Sequence, residues 1–100
     1  MWMFVLFDLP VGSADERRAA TAFRNELLNM GFERTQFSVY YRVAGGREIA
    51  ERHMRKIEAC LPEAGSVNIL TVTDKQYENM RCFLGRRKKK APAAEQLTLF

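Results

Sequence analysis

Six apolar residues in a row, Trp2–Phe7, stop at Asp8 and are followed by Pro10 and Gly12. A short continuous apolar run ended by turn formers reads as a buried strand at the centre of a sheet, with a loop behind it. The run is too short to span a bilayer and has no basic segment ahead of it. Neither a membrane span nor a signal peptide is therefore expected here.

The remaining punctuation fixes the order of elements around that strand. Ser13, with Glu16 three residues later, is a capping-box signal and predicts a helix to about Met30. At 100° per residue Ala20, Phe23, Leu27 and Met30 share one face, Arg17, Thr21 and Arg24 lie nearly opposite, and Gly31 is the expected stop. From Phe32 to Val43 the chain is rich in strand formers, with Phe37, Val39 and Tyr41 alternating with Ser38, Tyr40 and Arg42. That stretch is long for one strand, so two short strands or a bend near Phe37–Ser38 are expected. Gly45-Gly46 breaks it, and Arg47–Leu61 reads as a second helix with Ile49, Ile57, Cys60 and Leu61 inward, ended by Pro62 and Gly65. Ser66–Thr73 is a strand on Val67, Ile69, Leu70 and Val72, and Asp74 is expected to cap a short helix through about Leu84.

The order β-α-β(β)-α-β is the split pattern of a ferredoxin-like α+β sandwich, βαββαβ. Two helices cover one face of such a sheet, and a second protomer is the simplest cover for the other, which predicts a homodimer packed through the sheets. Phe4, Leu6, Phe23, Leu27, Val39, Ile57, Ile69 and Val72 are the expected core.

With 100 residues the chain has room for one modest core. The formal net charge of +4 is unevenly placed: residues 1–85 hold 11 basic and 11 acidic side chains, so the excess lies in residues 86–100. We therefore expect a ferredoxin-like domain over residues 1–85. Residues 86–100 are expected to be a basic spacer followed by a C-terminal strand or docking peptide. Cys60 and Cys82 stand in no CxxC or Cys/His cluster, which argues against zinc or a disulfide scaffold and fits a reducing cytoplasmic compartment.

Asp8 is the sharpest candidate for chemistry. A carboxylate just after a central strand sits at the strand's C-terminal edge, where α/β sites commonly form, although aspartate before Pro10 also serves to turn the chain. One carboxylate is a poor magnesium site, and a twofold axis bringing two Asp8 together would repair the shortage. Arg17 and Arg24, seven residues apart with Arg18 beside them, form a stripe whose guanidinium forks suit phosphate oxygens; the other reading is a solvated face with Glu16 and Glu26 as partners. Arg52, Arg55 and Lys56 form a weaker patch, interrupted by Glu51 and Glu58. His53, the only histidine, falls on the apolar arc of the second helix and reads as a core or edge residue rather than a catalyst. The aromatic residues between Phe32 and Tyr41 read as core and interface, because no RNA-recognition glycine–aromatic motif accompanies them.

The segments FVLFDLP (Phe4–Pro10), ERRAATAFRNELLNMGFERTQFSVYYRV (Glu16–Val43) and LPEAGSVNILTVTDKQYENM (Leu61–Met80) resemble the second family of CRISPR-associated proteins, the small protein of spacer acquisition often described as an endoribonuclease. The wording FDLP, QFSVY and LTVTDKQY is most similar to the versions that accompany single-protein, type II systems. The resemblance implies a ferredoxin-like fold and a dimer packed through its sheets. It further implies bridging of two CRISPR integrase dimers and binding of the duplex DNA that becomes a new spacer. It also implies metal-dependent nuclease activity, with Mg2+ at the aspartate after the first strand, Asp8 here, and backbone contacts from Arg17 and Arg18, with Arg24 close by.

Two roles follow, a structural adaptor and a magnesium-dependent phosphodiesterase built on paired Asp8 carboxylates. With no second catalytic carboxylate near Asp8 in the sequence, the adaptor is the preferred role. Outside the family, the alternative is a free-standing RNA-binding regulator that uses the basic tail. The last five residues, Gln96, Leu97, Thr98, Leu99 and Phe100, form an alternating apolar segment after the spacer Arg86–Lys90. The resemblance implies a C-terminal strand that pairs with the partner's sheet edge. Gln96, Leu97, Leu99 and Phe100 also look like the peptide by which bacterial proteins dock onto the replication sliding clamp.

Overall fold

A computed structural model describes residues 1–85 of the chain, so the expected contacts of Gln96, Leu97, Leu99 and Phe100 lie outside the described residues. Its elements are β1 (Trp2–Asp8), α1 (Ala14–Asn29), β2 (Glu33–Gln36), β3 (Val39–Val43), α2 (Arg47–Ala59), β4 (Ser66–Val72) and α3 (Asp74–Glu78). The four strands form one sheet in the order β2-β3-β1-β4, with every neighbouring pair antiparallel. This is the ferredoxin-like α+β arrangement, with α3 added after the last strand. No helix among the described residues is long and apolar enough to cross a membrane.

The apolar opening run does become a central strand, hydrogen-bonded to β3 on one side and β4 on the other. Met3, Val5 and Phe7 point into the core beneath the helices, where Phe23 and Leu27 of α1, Ala50 and Ile57 of α2, and Phe32 and Tyr40 meet them. Phe7 and Phe23 pack edge to face at 5.3 Å. The expected long stretch splits as anticipated: β2 and β3 are separated by a turn at Phe37–Ser38, and their register shifts between Arg34 and Gln36.

Two parts of the expected core are corrected. Phe4 is half-buried and Leu6 is 36% exposed, because side chains alternate along a strand and the helices cover the face of Met3, Val5 and Phe7. Val39, Ile69 and Val72 are likewise only half-buried. In α2, Ile49 and Leu61 are exposed, and Ala50 and Ile57 take the inward positions. The start of α3 also differs. Thr73 is its cap, its hydroxyl accepting from the Gln76 N–H (3.1 Å) while the Gln76 side chain accepts from the Thr73 N–H (2.8 Å). The helix ends at Glu78, short of the expected Leu84.

The second face of the sheet carries Trp2, Phe4 and Leu6 of β1, Val39, Tyr41 and Val43 of β3, and Asn68, Leu70 and Val72 of β4. Tyr77 of α3 covers one end of it, stacked on Trp2 with ring centroids 4.0 Å apart. Leu6, Val43 and Leu70 stay exposed beyond that cover.

Candidate nucleic-acid interface

Asp8 is the last residue of β1 and the Cα partner of Ser66 in β4. By the two-residue alternation it shares a sheet face with Leu6 and Phe4, so the exposed carboxylate belongs to the open face. Its position depends on a close approach by the α2–β4 loop. Gly65 has φ +95°, and a Cβ there would lie 2.6 Å from the Asp8 carbonyl oxygen and 2.9 Å from Leu9 Cδ2. Only glycine suits both the left-handed backbone and the tight contact.

Among the described residues no three His, Cys, Asp or Glu side chains converge on a common point. Asp8 thus belongs to no three-residue ligand cluster among the described residues. Magnesium prefers oxygen ligands and keeps several waters, so this donor fits magnesium chemistry once a second carboxylate faces it.

The loop after β1 is locked onto the start of α1. Ser13 Oγ accepts from the Glu16 N–H at 3.1 Å, and Glu16 Oε1 accepts from the backbone N–H groups of Gly12 (2.9 Å) and Ser13 (3.0 Å). Arg17 follows directly and donates to the Val11 carbonyl at 3.2 Å. Arg18 pairs with Asp15 on the helix surface. Both arginines are exposed, so the first turn of α1 presents two guanidinium groups to solvent.

Arg24 is placed differently. It is half-buried, and its guanidinium carbon lies 5.9 Å from the Phe7 ring centroid and 5.4 Å from that of Phe37. The structure therefore brings Arg17 and Arg18 together and sets Arg24 against two rings farther along the same helix. Phe37, read with its aromatic neighbours as core and interface, is 72% exposed in the protomer and so is not core. It sits in the β2–β3 turn, where no neighbouring strand among the described residues covers it.

His53 and Cys60 of the α2 region do not join Asp8. His53 packs edge-on to Phe32 at 6.0 Å, and its buried Nδ1 has no hydrogen-bond partner among the described residues. Burial, with the nearby charges of Arg42, Lys56 and Arg52, holds its pKa below the ordinary value. The Cys60 thiol donates to the Ile57 carbonyl at 3.4 Å, and burial, with Glu26 nearby, pushes its pKa up. A raised thiol is a poor nucleophile, which matches its place beside the core.

The family model described as CRISPR associated protein Cas2 matches residues 1–80. The chain is 48% identical to the CRISPR-associated endoribonuclease Cas2 of Acidovorax ebreus, with both chains covered in full. It is also 48% identical to the protein of that name from Paracidovorax avenae, across the whole of this chain and 94% of the relative. A more distant relative of the same name, from Ligilactobacillus salivarius, is 38% identical over 99% of this chain and 98% of its own. Model and relatives agree over the region that carries Asp8, the α1 arginines and the open sheet face, and the chain belongs to the Cas2 family of CRISPR-associated proteins.

Proposed function

We propose that the chain acts in CRISPR adaptation as a dimeric adaptor that bridges integrase dimers and binds duplex DNA during uptake of a new spacer. The open sheet face carries this reading. Leu6, Val43 and Leu70 are exposed beside half-buried Trp2 and Phe4, a contiguous apolar surface that a lone protomer gains nothing by leaving in water. A second copy laid on that face converts it into the core of a symmetric dimer. Arg17 and Arg18 then repeat on the two halves and supply sequence-independent contacts to phosphate.

A second reading rests on Asp8 and on the relatives' name, endoribonuclease. Asp8 lies at the edge of the same open face, so a twofold axis through that face is the route by which two Asp8 carboxylates would share one Mg2+. When bound, that ion would supply polarisation of a scissile phosphate and activation of water. Asp8 would hold the ion, and Arg17 and Arg18 would hold the strand.

Asp8→Ala separates the two readings. We expect the variant to keep its oligomeric state, duplex binding and spacer uptake, while any magnesium-dependent cleavage of RNA or DNA is lost. Loss of uptake together with cleavage, in a variant that still dimerises, would overturn the adaptor reading and make the chemistry essential.

A further inference from the structure

Along β1 and β4 the open sheet face changes character at one end. Trp2, Phe4 and Leu6 of β1 and Val72 and Leu70 of β4 are apolar, whereas the next positions on the same face are Asp8, Asn68 and Ser66. Ser66 is the Cα partner of Asp8, and Asn68, the partner of Leu6, is its diagonal neighbour. Directly opposite side chains of an antiparallel pair have their Cβ atoms about 5 Å apart, and diagonal ones lie within about 8 Å. Both oxygen-bearing side chains therefore border the carboxylate, and all three residues are exposed in the protomer. The start of β4 is pinned there, since a Cβ on Gly65, the residue before Ser66, would lie 2.6 Å from the Asp8 carbonyl oxygen.

A second copy laid on this face takes its polar end out of water along with the apolar part. For packing alone, position 68 would be better filled by an apolar residue like Leu70 and Val72, because an amide buried without a partner costs free energy. The partner it needs must be polar and close to Asp8. Magnesium keeps several of its waters, and neutral side chains that bond those waters orient them and strengthen a metal site. The serine hydroxyl and the asparagine carbonyl can each accept from such a water, while the asparagine NH2 donates to a carboxylate. We propose that Asn68, with Ser66 beside it, is a positioning residue of the paired Asp8 site and holds the water shell of a hydrated divalent cation between the two carboxylates. This rests on the Mg2+ reading of Asp8 given above and adds to it the neutral residues that complete the site.

The full-length protein can be titrated with Mn2+, which prefers the same oxygen-rich octahedral sites, while electron paramagnetic resonance counts the ion left free. Sedimentation follows the oligomeric state in parallel. Asn68→Leu removes the amide but suits an apolar interface, so the variant should stay dimeric while its Mn2+ affinity falls about tenfold or more. Ser66→Ala should show a smaller loss, and Asp8→Ala should abolish the binding. Asn68→Asp keeps a side-chain oxygen in place and should bind Mn2+ at least as tightly as the parent. If Asn68→Leu binds as the parent does while Asp8→Ala has lost the ion, the role of Asn68 is overturned and the paired carboxylates stand. A loss in Asn68→Asp as large as in Asn68→Leu also overturns it, since position 68 would then matter for packing alone; should Asn68→Leu fail to dimerise, this comparison of Asn68→Asp with the parent decides by itself. A parent protein that binds no more Mn2+ than Asp8→Ala overturns the paired Asp8 site and the role of Asn68 with it.

Discussion

Arg17 and Arg18 are the residues on which duplex binding should depend most directly. Both are exposed on the first turn of α1, fixed there by the Ser13–Glu16 capping box and by the Arg17 bond to Val11. Replacing both with alanine should weaken duplex binding uniformly across sequences and lower the salt slope by up to about 0.9 for each phosphate no longer neutralised. Unchanged affinity and slope would return them to a solvated face. His53 makes a different kind of prediction. Burial and the cations Arg42, Lys56 and Arg52 depress its folded pKa below the 6.5 it has when unfolded. Below pH 6.5 the unfolded state takes up the proton first, so stability is full above that pH and falls as the pH drops through the folded pKa. Urea titrations between pH 7.5 and 5 should show this loss in the parent and a flatter profile in His53→Gln; identical profiles would mean that the imidazole does not titrate differently on folding. These residues were legible to different degrees. The exposure of Arg17 and Arg18 follows from their place opposite the apolar stripe of α1, whereas Arg24, expected on the same stripe, is half-buried against Phe7 and Phe37; the half-burial of His53 follows from its place on the apolar arc of α2. Phe37 was not legible, because burial of a residue in a turn is decided by which neighbours arrive from elsewhere in the chain.

At the scale of elements, turn chemistry was the most readable part of the sequence. Ser13 with Glu16, Gly31, Gly45-Gly46 and the bend at Phe37–Ser38 all mark real boundaries, since each depends on local backbone geometry alone. The two faces of β1 were harder. In Trp2–Phe7 both are apolar, so the pattern could not say which would meet the helices. The answer, Met3, Val5 and Phe7, comes from the packing of α1 and α2 against the sheet. The α2–β4 loop supplies the test at this scale. Gly65 combines a positive φ with an approach to the Asp8 carbonyl that leaves no room for a methyl group. Gly65→Ala must either strain the loop or push the end of β1 away, and should cost more than about 1 kcal/mol. It should also disturb any function of Asp8 more than Gly46→Ala, whose added Cβ meets no atom within 4 Å. Equal, small effects of the two substitutions would mean that the loop does not set the position of Asp8.

At the scale of the whole molecule, the described residues finish the sheet on one side only. Helices α1 and α2 close one face, whereas the other is covered at one end by Tyr77 and is otherwise left to Leu6, Val43 and Leu70. Leu70 is the best probe of what completes it: it is 53% exposed, lies opposite Phe4 on the central strand, and makes little of the protomer's own core. Placing a carboxylate there leaves an isolated protomer nearly untouched, because the new charge stays in water. In a sheet-packed dimer the same charge is desolvated at the interface with a like charge from the other copy nearby, a strongly unfavourable arrangement. Leu70→Asp should therefore shift the protein from dimer to monomer in sedimentation while its circular dichroism stays that of the parent. A chain ending at Gly85 adds a second arm. If residues 86–100 supply a strand to the partner's sheet edge, this shorter chain should dimerise less tightly and melt earlier, even with Leu70 intact. If it stays dimeric with unchanged stability, while the full chain binds the sliding clamp and loses it on Leu99→Ala/Phe100→Ala, the tail is a docking peptide instead. A Leu70→Asp protein that remains dimeric would remove the open face as the dimer contact, and with it the route by which two Asp8 carboxylates could meet.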